Sequence, residues 1–186
     1  MDMDKSKREL LLVDGYNVMG ATPRYEGLID EHTDPKSFDT DPFVRAREAL
    51  ISDVATYAQG RFDAVVVFDG ASNADPDRNA THEAGLTVVF SRTGESADSV
   101  IERLATQARQ EGRMVSVATS DNTIRATIGA GPGDVTAISS KIFVRELERI
   151  DTEVAVEEQD RSHHKATIED RISPDMRKKL WHILRS

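Results

Sequence analysis

The stretch LLVDGYNVMGA, Leu11 to Ala21, carries the first evidence of the fold. A short apolar run of Leu and Val reads as a strand buried on both faces, as in parallel sheets. It runs straight into Asp14, Gly15 and, two residues later, Asn17. A buried strand that ends on a charge needs a reason for the charge.

Similar apolar runs recur at Ala64–Phe68, Leu86–Phe90, Met114–Ala118 and Val135–Ile138, so that five strands are expected with the first at Leu10–Val13. Segments of helical period lie between them. Pro42–Gln59 carries Phe43, Ala46, Leu50, Val54 and Tyr57 at spacings of three and four before Gly60, and Val100–Gln110 does the same before Gly112. Shorter helices are expected over Asn122–Gly129 and Ser140–Ile150. Alternating strand and helix predicts an α/β fold: a central parallel sheet covered on both faces, with right-handed crossovers.

Composition limits what this fold can do. The 186 residues include 38% apolar ones, enough for one α/β domain, placed at 8–157. From about Glu157 the chain turns polar and aperiodic; residues 158–186 read as a linker followed by a C-terminal amphipathic helix, DMRKKLWHILR, capped by Ser173-Pro174. That helix either packs on the domain or docks a partner through Trp181. Thr22–Asp41 reads as a long polar loop beside the first strand end. There are no cysteines, which excludes disulfides, thiolate metal sites and a catalytic thiol. No stretch suits a membrane span or a secretory signal, and a cytoplasmic protein is expected. Thirty-three acids against 24 basic residues give a net charge of −9, which opposes unaided capture of a polyanion.

In an open α/β sheet, ligands collect beyond the carboxyl ends of the strands. Three runs deliver an aspartate there: LLLVD at Asp14, VVVFD at Asp69 and VSVATSD at Asp121. A fourth acid set, Glu95, Asp98 and Glu102, is spaced to share one stripe of a helix. Any one of these can simply be a helix cap or a turn residue. Convergence of Asp14, Asp98 and Asp121 from separate elements points instead to a site. Gathered carboxylates repel unless they are protonated, hydrated or neutralised by a cation, and an all-oxygen set suits Mg²⁺ or Mn²⁺. Such an ion fits metal-assisted phosphodiester hydrolysis, with Asn17 and Asn122 orienting water or phosphate. Glu95 is either a fourth ligand or a first-turn acid favoured by the helix dipole. Arg24, Arg92, Arg125, Lys141 and Arg145, in or beside loops or helix starts that should border the crevice, are candidate phosphate contacts, and RNA contacts if the substrate is RNA, each otherwise a solvated charge. His32, His82, His163 and His164 lie in polar segments and receive no role, and GAGPG at 129–133 lacks the lysine and spacing of a phosphate loop.

LLVDGYNVMGA, VVVFDG, GLTVVFSRTGESADSVIERLA, VSVATSD and ISSKIFVRELE resemble, in order and spacing, the YacP-like branch of the NYN domains within the PIN-like nucleases. The resemblance spans Leu10 to Glu148. It implies a three-layer α/β/α PIN-like domain and a metal-dependent endoribonuclease centre in which Asp14, Asp98 and Asp121 hold the ion and Asn17 is the motif asparagine. It also implies ribosome-associated cleavage of mRNA, which would relieve an acidic protein of capturing RNA by its own field. Ser139-Ser140-Lys141 depart from the arginine-bearing pattern of the family. The other functional classes are a non-catalytic RNA- or ribosome-binding module with the same fold and, more remotely, a small-molecule phosphohydrolase.

Overall fold

The computed structural model describes residues 8–29, 42–70, 80–129 and 135–153. Expectations for residues 30–41, the glycine-rich loop after 129, His32, His163, His164 and the segment 158–186 with Trp181 lie outside the described residues. By compactness the chain divides into Met1–Glu148 and Arg149–Ser186, and the whole sheet belongs to the first unit. The elements are β1 (Glu9–Asp14), α1 (Gly15–Met19), α2 (Pro23–Glu26), α3 (Val44–Ala58), β2 (Phe62–Phe68), β3 (Ala80–Glu83), β4 (Leu86–Phe90), α4 (Ala97–Gln110), β5 (Val115–Ala118), α5 (Asn122–Gly129) and β6 (Val135–Ile138). Residues 140–153 form a further helix, α6.

The six strands make one sheet in the order β3-β4-β2-β1-β5-β6. All neighbours are parallel except the edge pair β3–β4. From β1 the chain builds outward through β2 and β4, then returns to the other side of β1 for β5 and β6. The order therefore reverses beside β1, and a crevice opens above the carboxyl ends of β1 and β5.

Side chains alternate across each strand, so every strand feeds two layers. Leu10, Leu12, Val67, Val115 and Val117 pack with Val100, Ile101, Ala105 and Ala108 of α4 and with Ile124 and Ile128 of α5. The opposite residues, Leu11, Val13, Val66 and Phe68, are fully buried as well. On their side α3 packs against β2 and β4, and Tyr57 of α3 meets Phe143 of α6 edge to face at 5.2 Å. Helices thus cover both faces. None of those in the described residues is long and apolar enough to cross a membrane.

The long helices stop where expected, with Gly60 and Gly112 in left-handed backbone at φ 72° and 71°. Three elements were not anticipated. β3, with the sequence ATHE, is a mostly exposed edge strand held by backbone pairing to β4, and its polar composition carries no strand signal. α1 follows β1 without a loop, because the Asp14 side chain caps it. α2 occupies the start of the segment read as loop; Thr22 caps it and Pro23 opens it. Tyr25 of α2 is fully buried, and its hydroxyl donates to Asp53 of α3 at 2.7 Å.

Gly15 is required by packing: a Cβ there would lie 2.3 Å from the Phe68 ring, which has no room to retreat. Gly15→Ala is expected to lower stability by about 1–3 kcal/mol, the usual range for overpacking a tight core. Urea unfolding reads this as a lower midpoint at unchanged slope; an unchanged midpoint would mean that α1 shifts freely against β2.

Candidate functional site

Asp14 ends β1, and the alternation from Leu10 and Leu12 turns it toward the α4 layer. Only 7% of it is exposed. Its Oδ2 accepts from the Thr119 hydroxyl at 3.0 Å, and its Oδ1 accepts from the Asn17 amide at 3.4 Å. The Asp14 carboxyl is raised to about 6 in all: burial is the largest cause, the bonds from Thr119 and Asn17 oppose it, and the charges of Asp98 and Asp121 add to it.

Asp98 lies in the first turn of α4, whose cap is Ser96, accepting from the Ser99 amide at 3.2 Å. Asp98 is therefore not the cap. Its carboxyl is also raised, first by partial burial and then by the charges of Asp121, Glu102 and Asp69. Asp121 follows β5: its amide donates to Thr119 Oγ1 at 3.0 Å, and its Oδ1 accepts from the Thr123 amide at 2.6 Å as α5 begins. Asp14, Asp98 and Asp121 thus act on one another electrostatically at the crevice. Asp14 and Asp121 serve as helix caps too, a role that uses only part of a carboxylate's accepting capacity.

Asn17 ties the crevice together. Its Oδ1 accepts from the Ser120 amide at 2.8 Å and from the Ser140 hydroxyl at 2.6 Å, while the Ser140 amide donates to Ser120 Oγ at 3.1 Å. One carboxamide therefore joins α1, the turn after β5 and the start of α6. Ser140 and Thr119 are fully buried; Thr119 was not singled out from sequence, and Ser140 was noted only within the Ser139-Ser140-Lys141 departure from the family pattern. The available signal was positional, since each hydroxyl sits within two residues of a strand end that carries a candidate site residue.

Other expectations sort by position. Glu95 precedes the Ser96 cap, so it is not on the helical stripe with Asp98 and Glu102; its carboxylate pairs with Arg103 at 3.1 Å. Arg92 is exposed and, with Glu95 and Arg103, borders a largely apolar cavity of about 340 Å³ between β4 and α4. Asn122 and Arg125 are exposed on α5, and Lys141 and Arg145 on α6. Arg24 is committed to Asp53, at 3.0 and 3.1 Å. His82 lies on β3 against Thr87. A larger cavity of about 470 Å³, bordered by Gly60, Phe62 and Leu86, is at the amino ends of β2 and β4, the opposite edge of the sheet from the acids.

Next to the acids is an aromatic rim. Tyr16 meets Phe43 and Phe68 edge to face at 5.7 and 5.2 Å, and Phe68 stacks on Phe90 at 5.5 Å. The Arg47 guanidinium carbon is 6.0 Å from the Phe68 centroid and 5.6 Å from that of Phe90, and Arg47 donates to the Tyr16 hydroxyl at 3.0 Å.

The donor set at the crevice is all carboxylate and carboxamide oxygen, which fits a hard divalent ion, and two of its members are held in a state that favours protonation in the absence of a countercharge. Among the described residues, no group of three or more His, Asp or Glu side chains is already drawn into ligating geometry. Closing the acids around one ion requires side-chain adjustment.

A raised folded-state value means that protonated Asp14 favours the fold. This contribution is present below the unfolded value of 3.8 and is lost as pH rises through about 6. Asp14→Asn, which keeps an N-cap, is expected to gain on the wild type by up to about 3 kcal/mol between pH 4 and pH 7. Urea unfolding with chelator at each pH measures this, and a constant difference would place Asp14 in a solvated environment. Asn17→Ala leaves Ser140 Oγ buried without its acceptor, so a loss of about 1–3 kcal/mol is expected; thermal unfolding that matches the wild type would show that water replaces the carboxamide.

The family model described as "YacP-like NYN domain" matches residues 11–185. A curated relative from Bacillus subtilis (strain 168), "Uncharacterized protein YacP", is 32% identical over 147 residues, covering 78% of this chain and 79% of the relative. The crystal structure of Rae1 (YacP) from Bacillus subtilis is similar at a TM-score of 0.65 and 28% identity, covering 96% of this chain and 95% of that one. A mutant form of the same protein gives 0.58 and 30% over 79% of each chain. The acids at the β1–β5 crevice therefore sit on a nuclease-type fold, and the chain belongs to the YacP-like NYN domain family.

Proposed function

We propose that this chain is a metal-dependent endoribonuclease that hydrolyses RNA phosphodiester bonds, with mRNA as substrate in a ribosome-associated, cytoplasmic setting. The observation that carries the reading is the mutual repulsion of Asp14, Asp98 and Asp121, brought from the end of β1, the first turn of α4 and the turn after β5 to one crevice at the strand-order reversal. Gathered, partly desolvated carboxylates are a cost to the fold that a bound cation relieves.

Asp14, Asp98 and Asp121 would hold Mg²⁺ or Mn²⁺, which when bound supplies an activated water and stabilises charge on the phosphoryl oxygens. The chain's own residues do the rest. Thr119 fixes the Asp14 carboxylate through Oδ2 and the Asp121 backbone through its amide, so two ligands from β1 and β5 share one hydroxyl as reference. Asn17 holds the Ser120 turn and α6 in place beneath them. Arg92, Arg125, Lys141 and Arg145, with Asn122, are exposed and would meet phosphates along the strand. Glu95 becomes a further ligand only by leaving Arg103.

Purified protein and Asp98→Asn, incubated with mRNA with and without ribosomes and Mn²⁺, test the reading. Asp98 is not a cap, so the variant is expected to fold normally and to lose at least about 100-fold in cleavage rate, the scale of a removed electrostatic stabiliser. Equal cleavage by both proteins would remove the acids from the chemistry; binding without cleavage would favour the non-catalytic module. With a net charge of −9, short single-stranded RNA is expected to bind weakly and with a shallow salt dependence, and the protein is expected to co-sediment with ribosomes. Steep, tight binding to free RNA would displace the ribosome from the reading.

A further inference from the structure

We infer that the aromatic rim formed by Tyr16, Phe43 and Phe90 with Arg47 is a nucleobase-stacking subsite, which receives a base next to the phosphate held at the acids. The inference rests on the endoribonuclease reading and adds to it the place where a base of the RNA is gripped.

Four of the chain's ten aromatic residues, Tyr16, Phe43, Phe68 and Phe90, gather at the carboxyl edge of the sheet. Tyr25, Phe68 and Phe143 are fully buried. Tyr16, Phe43 and Phe90 remain part-exposed around the fully buried Phe68, and a half-buried arginine lies over the rings. Part-exposed rings with a stacked guanidinium are the surface on which single-stranded bases stack, because every base offers a π-face and the cation favours the adjoining phosphate.

Placement relative to the acids completes the case. Tyr16 is two residues after Asp14, and Phe68 immediately precedes Asp69. Strand alternation sends Asp14 toward the α4 layer and Phe68 toward the α3 layer, so acids and rings lie on opposite sides of the same sheet edge. An RNA strand crossing that edge sets a phosphate over Asp14 and Asp98 and its neighbouring base over Phe43 and Phe90. Because base stacking supplies affinity without net charge, the subsite also suits a protein of net charge −9.

The test uses the full chain and short RNAs that carry a single 2-aminopurine at successive positions, titrated with excess protein and read by fluorescence quenching. Quenching is expected at one or two adjacent positions only. Phe43→Leu and Phe90→Leu, checked for a wild-type circular dichroism spectrum, should abolish it and weaken binding roughly ten-fold, within the range of one stacked base. Phe43→Tyr, which keeps the ring, should retain both. Absence of quenching at every position, or quenching unchanged in the two leucine variants, overturns the subsite whether or not the RNA is cut. Quenching in RNA that stays uncleaved even with ribosomes and Mn²⁺ leaves the subsite standing and removes the endoribonuclease reading instead.

Discussion

Repulsion among carboxylates at the carboxyl edge of β1 and β5 is the constraint around which the rest of the molecule is arranged. Asp14 is nearly buried and feels both Asp98 and Asp121, and Asp98 in turn feels Asp121, Glu102 and Asp69. Such a cluster opposes folding at neutral pH. The scaffold beneath it is closely packed. β1 is central, paired on both sides in parallel register, and its apolar residues are closed off by helices on each face.

Among the described residues, neutral hydrogen bonds hold Asp14 and Asp121. Thr119 serves Asp14 and Asp121 at once, and Asn17 gathers Ser120 and Ser140 through one oxygen. Three arginines among the described residues have other partners: Arg103 pairs with Glu95, Arg24 with Asp53, and Arg47 with Tyr16 and two rings. A guanidinium placed against Asp14 would relieve the repulsion but also take the lone pairs a metal needs. Among the described residues no ion pair engages Asp14, Asp98 or Asp121, which leaves their charge available to a ligand, and hydroxyl and amide partners hold Asp14 and Asp121.

The two sides of the sheet edge differ in chemistry. Toward α4 lie oxygen donors; toward α3 lie aromatic rings with Arg47. Strand periodicity produces this division directly, since consecutive residues at a strand end point to opposite layers. Asp14 and Gly15 show it most clearly: the aspartate turns to one layer, and the glycine beside it lets the Phe68 ring of the other layer come close.

Local patterns in the chain were enough to place the parallel strands, the two long helices with their glycine stops, and the acids at the strand ends, because each rests on spacing that a single segment carries within itself. Five of six strands were legible for that reason. β3 was not, because its existence depends on a neighbour's backbone and not on its own residues. Nor could spacing tell that Glu95 stands outside α4 and turns to Arg103, since one hydroxyl, that of Ser96, decides where the helix begins. Thr119, Ser140 and the aromatic rim acquire meaning only across separations of tens to more than a hundred residues, as in Ser140 to Asn17 and Thr119 to Asp14. Residue order was thus sufficient to say which acids could meet. Which of them repel, what orients them and which surface faces them had to wait for the folded chain, because those are properties of distance and burial that no local pattern contains.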